Sequence, residues 1–232
     1  MEIAPAVETR RDRLTPLRRF IAAIGRLVSS LLRILVLSFV FSIVPIAGFL
    51  ALDLPVRGLD HFFSLPSARP GNWLTQGHVF MTFAAMSGIF IARRFGGDEA
   101  ARVITTSWGI AAVAALVEFV HLAPSLSPGD IPSARFIGAF VASAMIGQYV
   151  AVGLYDIIRG AAAWWRAPLY GLLAGYFAHV VIFFPVVYWS SGLPWTFWMV
   201  SDFTLKAVLS FGFLGLYYVS RGFVKPSDGL GG

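Results

Sequence analysis

The residues most able to do chemistry lie in "WMVSDFTLKAVLSFGFLGLYYVSRGF" (198–223), an apolar run that carries an acid and a base, Asp202 and Lys206. In an α-helix their side chains meet on one face, and the acid stands on the favourable N-terminal side. Two interpretations are open. Either the charges only neutralise each other or a neighbouring helix, or they face a central cavity and contact a polar solute.

Other ionisable residues also interrupt apolar runs. A central Asp or Lys costs roughly 2.5 to 3.5 kcal/mol in a membrane helix, so each such charge needs a reason. Glu118 and His121 are one turn apart in one run, and both can face the same direction. His179 lies well inside another run; an imidazole titrates near neutral pH, so it would be either a proton-coupling group or a hydrogen-bonded packing residue. The other ionisable side chains in or at the ends of runs are His78, Asp53, Asp156 and Arg135.

The elements that position these residues follow from composition. The chain has 232 residues, 57% hydrophobic and 13% charged, whereas soluble domains carry about 25% charged residues. The apolar runs are continuous and about twenty residues long, which predicts membrane helices rather than barrel strands. We predict an all-α polytopic membrane protein with six transmembrane helices, at residues 34–54, 74–92, 103–122, 136–156, 167–189 and 199–220.

The loop arginines predict the orientation. If the N-terminus is cytoplasmic, the inner segments hold fourteen Lys and Arg residues and the outer ones only Arg57, Arg69 and Arg135. Positive charge accumulates on the cytoplasmic side, so both termini are predicted to be cytoplasmic. Membrane topology thereby explains the excess of basic over acidic residues, and we expect no nucleic-acid partner.

The segment before the first span is amphipathic. Its apolar residues share one helical face and its arginines share the other, which predicts a helix lying in the cytoplasmic membrane interface or a simple orientation signal. The apolar face comprises Leu14, Leu17, Phe20, Ile21, Ile24, Leu27, Val28 and Leu31, and the basic face Arg18, Arg19, Arg26 and Arg33. The predicted domains are a basic N-terminal segment (1–33), a six-helix membrane domain (34–223) and a cytoplasmic tail (224–232).

Signals of enzymes are missing from the sequence. There is no cysteine, which excludes thiolate metal sites and cysteine nucleophiles. There is no H-E-x-x-H, G-x-S-x-G or P-loop motif. We therefore expect no catalytic residues, no metal and no cofactor.

The second half of the chain resembles a known family. In order, it contains "SARFIGAFVASAMIGQ", "YDIIRG", "WWRAPLYGLLAGYFAHVVIFF" and "VSDFTLKAVLSF". This succession is similar to the VUT family of bacterial membrane proteins, the queuosine precursor transporters. Matching positions, in order, are Arg135, Gln148, Trp165, Ala167, Pro168, Asp202 and Lys206. The likeness covers roughly residues 134 to 220 and is fainter over 80 to 105.

The resemblance implies a six-helix importer of 7-deazaguanine bases in the bacterial cytoplasmic membrane. The partners would be this small-molecule solute and the lipid bilayer, with a homodimer or a membrane-complex partner also open. The candidate solute-binding residues are Glu118, Arg135, Gln148, His179, Asp202 and Lys206.

Three positions depart from the family pattern. Ile89, Ala151 and His179 stand where family members usually carry an acid. The sequence therefore also allows a divergent transporter for another solute, or a non-transporting subunit or assembly factor of a larger membrane complex.

Overall fold

A computed structural model describes residues 16–125, 131–160 and 163–227 of the chain. These residues form six long α-helices and several short 3-10 turns, with no strand among them, and the all-α class is confirmed. The helices are α1 (Pro16–Leu50), α2 (Gln76–Phe95), α3 (Gly97–Leu122), α4 (Ala134–Ile158), α5 (Arg166–Tyr188) and α6 (Trp195–Ser220). Leu14 of the predicted apolar face lies outside the described residues, as do three of the basic residues counted on the inner side, Arg10, Arg11 and Arg13.

Five of these helices, α1, α3, α4, α5 and α6, are long and apolar enough to cross a membrane, the pattern of a multi-pass membrane protein. α2, on the predicted second span, does not meet that standard. It contacts all five other helices, and its polar residues His78, Thr82 and Arg93 are buried against protein. A helix in this position needs less apolar surface than one at the periphery.

The contacts fix the direction of the first three helices. Arg33 pairs with Glu99 at 2.7 Å, and farther along Ser107 Oγ donates to the Ser38 carbonyl at 3.0 Å, so α1 and α3 run parallel. α2 starts where α1 ends and finishes where α3 begins. α2 therefore runs the length of the bundle in the opposite direction.

The bundle has two chemically different ends. One end, here called the arginine-rich end, holds the α2–α3 turn, the α4–α5 turn and the residues that follow α6. Arg93 Nε donates to the Val224 carbonyl at 2.7 Å, and Gly97 N donates to Asp156 Oδ1 at 2.9 Å. The other end, here called the loop end, carries the long connection 51–75, with 3-10 turns at Arg57–Phe62, Pro66–Ala68 and Pro70–Asn72.

α1 is continuous across the predicted boundary between residues 33 and 34, so the amphipathic segment is not a separate element. Its first buried residue is Ser38, and Arg33 already lies at the arginine-rich end beside Glu99. Residues 16 to 32 thus extend beyond the bundle by about 25 Å, at 1.5 Å per helical residue. After Pro16 at its first position, this stretch contains no proline, and an uninterrupted helix keeps its backbone groups paired.

Small residues bring α4 and α5 into close contact. A Cβ on Gly147 would lie 2.8 Å from the Gly175 carbonyl oxygen, and one on Gly171 would lie 2.7 Å from that of Ala151. Small residues at helix contacts in membrane proteins allow this close approach. This contact sets the depth at which α5 side chains enter the bundle.

Candidate functional site in the bundle centre

The charged pair of α6 is buried. Lys206 Nζ donates to Asp202 Oδ2 at 2.5 Å, and the two residues are 3% and 1% exposed. Asp202 Oδ1 has no hydrogen-bond partner among the described residues. One oxygen of a fully buried carboxylate is thus left to accept a hydrogen bond.

Two histidines from other helices lie beside this pair. The rings of His78 in α2 and His179 in α5 are 5.6 Å apart, centroid to centroid, and both interact electrostatically with Lys206. His78 Nδ1 contacts Thr75 Oγ1 at 2.9 Å. Each imidazole keeps a buried Nε2 without a partner in the described part of the chain.

A tyrosine completes the group. Tyr176 lies three residues before His179 on α5, and its hydroxyl donates to the Thr82 carbonyl of α2 at 2.9 Å. It also interacts electrostatically with Asp202. His78, Tyr176, His179, Asp202 and Lys206 are here called the central cluster.

Close backbone approach positions the central cluster. The missing Cβ of Gly147 would lie 3.2 Å from His179 Cβ, so α4 can press against the turn that carries this histidine. A Cβ on Gly77 would lie 2.8 Å from the Gly48 carbonyl oxygen, and His78 is the next residue. Because glycine occupies both contacts, the two imidazoles lie at the same depth in the helix bundle.

The cluster has unused hydrogen-bonding capacity within an aromatic wall. Phe183 and Phe140 pack against the His78 ring at 4.5 and 5.4 Å. A buried polar atom left unpaired costs about 1 to 3 kcal/mol, and α2, α5 and α6 each contribute one such atom to the central cluster. The group is suited to holding a small polar molecule with an aromatic face. No set of three His, Asp or Glu side chains in the described part of the chain could hold a metal ion.

A cavity of about 620 Å³, here called the vestibule, opens at the loop end above the cluster. Trp198, one turn before Asp202 on the same face of α6, is part of its lining. The Trp198 indole donates to the Ser67 carbonyl at 2.9 Å and packs against Tyr188 at 5.4 Å. Trp198 thus separates the vestibule from the buried pair.

On the side of the arginine-rich end, further buried residues of α6 follow the central cluster. Below Lys206, the same face of α6 presents Ser210, Phe213 and Tyr217, all buried. The Tyr217 hydroxyl lies 2.9 Å from that of Tyr155 and accepts from Arg93 at 3.2 Å. A hydrogen-bonded layer of Tyr217, Tyr155 and Arg93 therefore lies between the central cluster and the arginine-rich end.

The structure unites only part of the site predicted from sequence. Asp202, Lys206 and His179 come together. Gln148 is buried but accepts from the Trp108 indole at 3.2 Å and lies beside Met81, so its polar group is already used in packing.

Glu118 and Arg135 lie away from the cluster. Glu118 is exposed near the end of α3 and lines a mostly apolar crevice that also contains Asp53. Arg135 is exposed at the start of α4, and its Nε donates to the Val186 carbonyl of α5. Both are near helix ends at the loop end, where water can solvate them.

Sequence reasoning did not place His78 and Tyr176 in the site. The available signals were weak: His78 is one of few ionisable residues within an apolar run, and Tyr176 has helical i, i+3 spacing to His179. Ile89 and Ala151, at positions usually acidic in the resembled family, are fully buried. Ala151 packs in the α4–α5 contact, where a carboxylate has no room.

Comparisons of this chain with protein-family models, with curated proteins and with solved structures found no match.

Proposed function

We propose that this protein is a membrane transporter for a small polar or purine-like solute, similar in kind to the VUT-family importers of queuosine precursors. The observation that carries the proposal is the central cluster. It combines a buried ion pair, two imidazoles with unpaired nitrogens and an aromatic wall, directly beneath a vestibule. Solute sites of transporters commonly lie near the membrane midplane and are lined by such intramembrane ionisable groups.

The proposal includes six membrane crossings. α2 would be the sixth, because it runs antiparallel to α1 and α3 over the length of the bundle. The arginine-rich end would be cytoplasmic under the positive-inside rule, which puts both termini in the cytoplasm and the vestibule outside. The membrane would be the bacterial cytoplasmic membrane.

The chemistry of the cluster favours a flat solute with hydrogen-bond donors. Asp202 Oδ1 would accept from a donor edge such as that of a 7-deazaguanine, and the two Nε2 atoms would bond to other ring positions. Phe183 and Phe140 would contact its faces. Asp202 and His179 are the sequence-predicted residues in this role, and His78 is added to them.

Uptake of labelled 7-deazaguanine by cells that lack their own importer tests the proposal. Expression of the chain should confer uptake, and Asp202→Asn or His179→Leu should reduce it at least tenfold. Asp98→Asn removes an exposed carboxylate at the start of α3 and should retain uptake. Full uptake by both cluster variants would remove the cluster from the route.

The orientation can be tested separately, because the chain contains no cysteine. Ser64→Cys at the loop end and Gly160→Cys at the α4–α5 turn are exposed sites. A membrane-impermeant thiol reagent applied to intact cells should label the first and leave the second unlabelled. The reverse pattern would place the vestibule in the cytoplasm.

A second candidate function, a subunit or assembly factor of a membrane complex, is favoured by one observation. Residues 16 to 32 of α1 extend beyond the bundle with Phe20, Leu27 and other apolar side chains exposed. Co-purification in mild detergent, from cells of the source organism, distinguishes the two functions. A stoichiometric partner lost in Phe20→Ser/Leu27→Ser, together with no uptake by the unaltered chain, would favour the subunit. A homodimer would appear as self-association lost in the same variant.

A further inference from the structure

The vestibule is lined by charged residues that do not belong to the central cluster. Its lining includes Arg57, Arg69, Asp60 and Asn72 from the loop 51–75, together with Trp198 of α6. Both guanidinium groups are exposed, and neither has a hydrogen-bond or ion-pair partner among the described residues. Two arginine side chains thus line one cavity, and no carboxylate of the described residues is paired with either of them.

The carboxylate in the same cavity does not neutralise the arginines. Asp60 Oδ1 accepts from the Gly71 backbone at 2.7 Å, and no ion pair joins it to Arg57 or Arg69. Its role is to hold the loop together. The cavity therefore keeps a net positive lining.

Hydrogen bonds hold the loop that carries the arginines in a defined conformation. The Asn72 side chain donates to the Pro66 carbonyl at 2.7 Å, the Trp198 indole donates to that of Ser67 at 2.9 Å, and Pro55 and Thr75 form a bridge at its base. These bonds hold the loop together and connect it to α6. A preorganised cavity binds a ligand without the cost of ordering a loop.

The location adds a second argument. Of the eighteen Lys and Arg residues, only Arg57, Arg69 and Arg135 stand in the loop-end segments, and two of those three line this one cavity. Positive charge in short loops on the non-cytoplasmic side opposes membrane orientation. In the orientation proposed above, the two arginines stand on the unfavoured side and share one cavity, which favours an anionic occupant.

We propose that the vestibule is an oxoanion-binding site that takes a phosphate group through Arg57 and Arg69. A guanidinium presents a planar pair of N–H donors that matches two oxygens of a phosphate. The phosphate belongs either to a free solute or to a lipid headgroup that enters from the outer leaflet. Because Trp198 separates this site from the central cluster, phosphate binding here does not require transport.

Calorimetric titration of inorganic phosphate into the full chain, purified in a maltoside detergent that contains no phosphate, tests the site. The unaltered protein should bind, and Arg57→Gln/Arg69→Gln should bind at least tenfold more weakly. The matched control is Arg26→Gln, an exposed arginine on the part of α1 beyond the opposite end of the bundle, which should bind like the unaltered protein. Absence of phosphate binding by the unaltered protein, or equal binding by the double variant, would overturn the proposal.

Two further arms sharpen the test. Arg57→Lys/Arg69→Lys keeps both charges but loses the paired donors, so it should fall between the unaltered protein and the Gln variant; equality with the unaltered protein would overturn the guanidinium-specific site. Repeating the titration with phosphatidylglycerol added to the detergent micelles identifies the source. Weakened phosphate binding supports occupation by a lipid headgroup, whereas unchanged binding supports a free solute.

Discussion

Two ion pairs with nearly equal distances lie in very different surroundings. Lys206 and Asp202 are joined at 2.5 Å with side chains 3% and 2% exposed, whereas Arg33 and Glu99 are joined at 2.7 Å with side chains 45% and 11% exposed. The central pair has left water almost entirely, so losing one partner strands a charge. The pair at the arginine-rich end can exchange its partner for solvent. Breaking the central pair should therefore cost more than breaking the exposed pair, although the two distances are similar. Water can solvate the separated charges of the exposed pair but not those of the buried one.

The largest effect is expected from breaking the central pair on one side. Lys206→Met leaves Asp202 buried without a cation and should lower the free energy of unfolding by about 3 to 5 kcal/mol. Lys206→Met/Asp202→Asn removes both charges and should recover most of that loss. Denaturation of the purified protein in detergent measures both. Equal losses in the single and double variants would mean that the pair is not isolated from water.

The next effect concerns the packing that keeps the centre dry. A Cβ on Gly175 would lie 2.8 Å from the Ala151 methyl, so Gly175→Ala should separate α4 from α5 and cost about 1 to 3 kcal/mol. Gly153→Ala in α4 is the matched control, because nothing lies within 4 Å of its Cβ. Thermal unfolding of the two variants should differ clearly. If they unfold alike, the close contact does not determine stability.

Arg93 is an intermediate case, a buried cation held by neutral partners. Its bonds to the Val224 carbonyl and the Tyr217 hydroxyl are charge-assisted, so Arg93→Gln should cost about 2 kcal/mol. It should also speed hydrogen exchange of the backbone amides of Val224, Lys225 and Ser227. Arg94→Gln, at an exposed arginine that bonds to the Lys225 carbonyl, should cost less. A larger loss from Arg94→Gln would contradict the dependence on burial.

The smallest effect is expected at the exposed pair. Arg33→Gln or Glu99→Gln should cost at most about 1 kcal/mol, and the difference from the unaltered protein should shrink as salt is raised. The cost of Lys206→Met should change little with salt. Unfolding measured at low and high ionic strength makes the comparison directly. A salt-sensitive central pair would show that ions reach the cluster.

Much of the fold was predictable because membrane helices are determined locally. The expected spans fall on α1 to α6, although α3 and α6 begin several residues before the predicted starts at 103 and 199. The i, i+4 spacing placed Asp202 beside Lys206, and the contact is confirmed. α1 differs from expectation, because a pattern that changes from amphipathic to apolar does not by itself interrupt a helix.

The candidate site was less predictable because it depends on which helix faces meet. Glu118 and His179 are similar in sequence, each an ionisable residue in an apolar run, yet one is exposed near a helix end and the other is buried beside Lys206. Gln148 is as buried as His179 but bonds to Trp108 instead. His78 enters the cluster through the glycine contact between α1 and α2, which no feature of its own span reveals.

The sequence alone determined the helical membrane class, the distribution of arginines between the segments and the self-pairing of Asp202 with Lys206. Each of these depends on the transfer cost of single residues or on spacing within one helix. The tertiary structure decided which polar groups meet: His78, Tyr176 and His179 around the pair, and Arg57 and Arg69 around the vestibule. These groups come from segments far apart in the chain, and only the packing of small residues between helices fixes their distances.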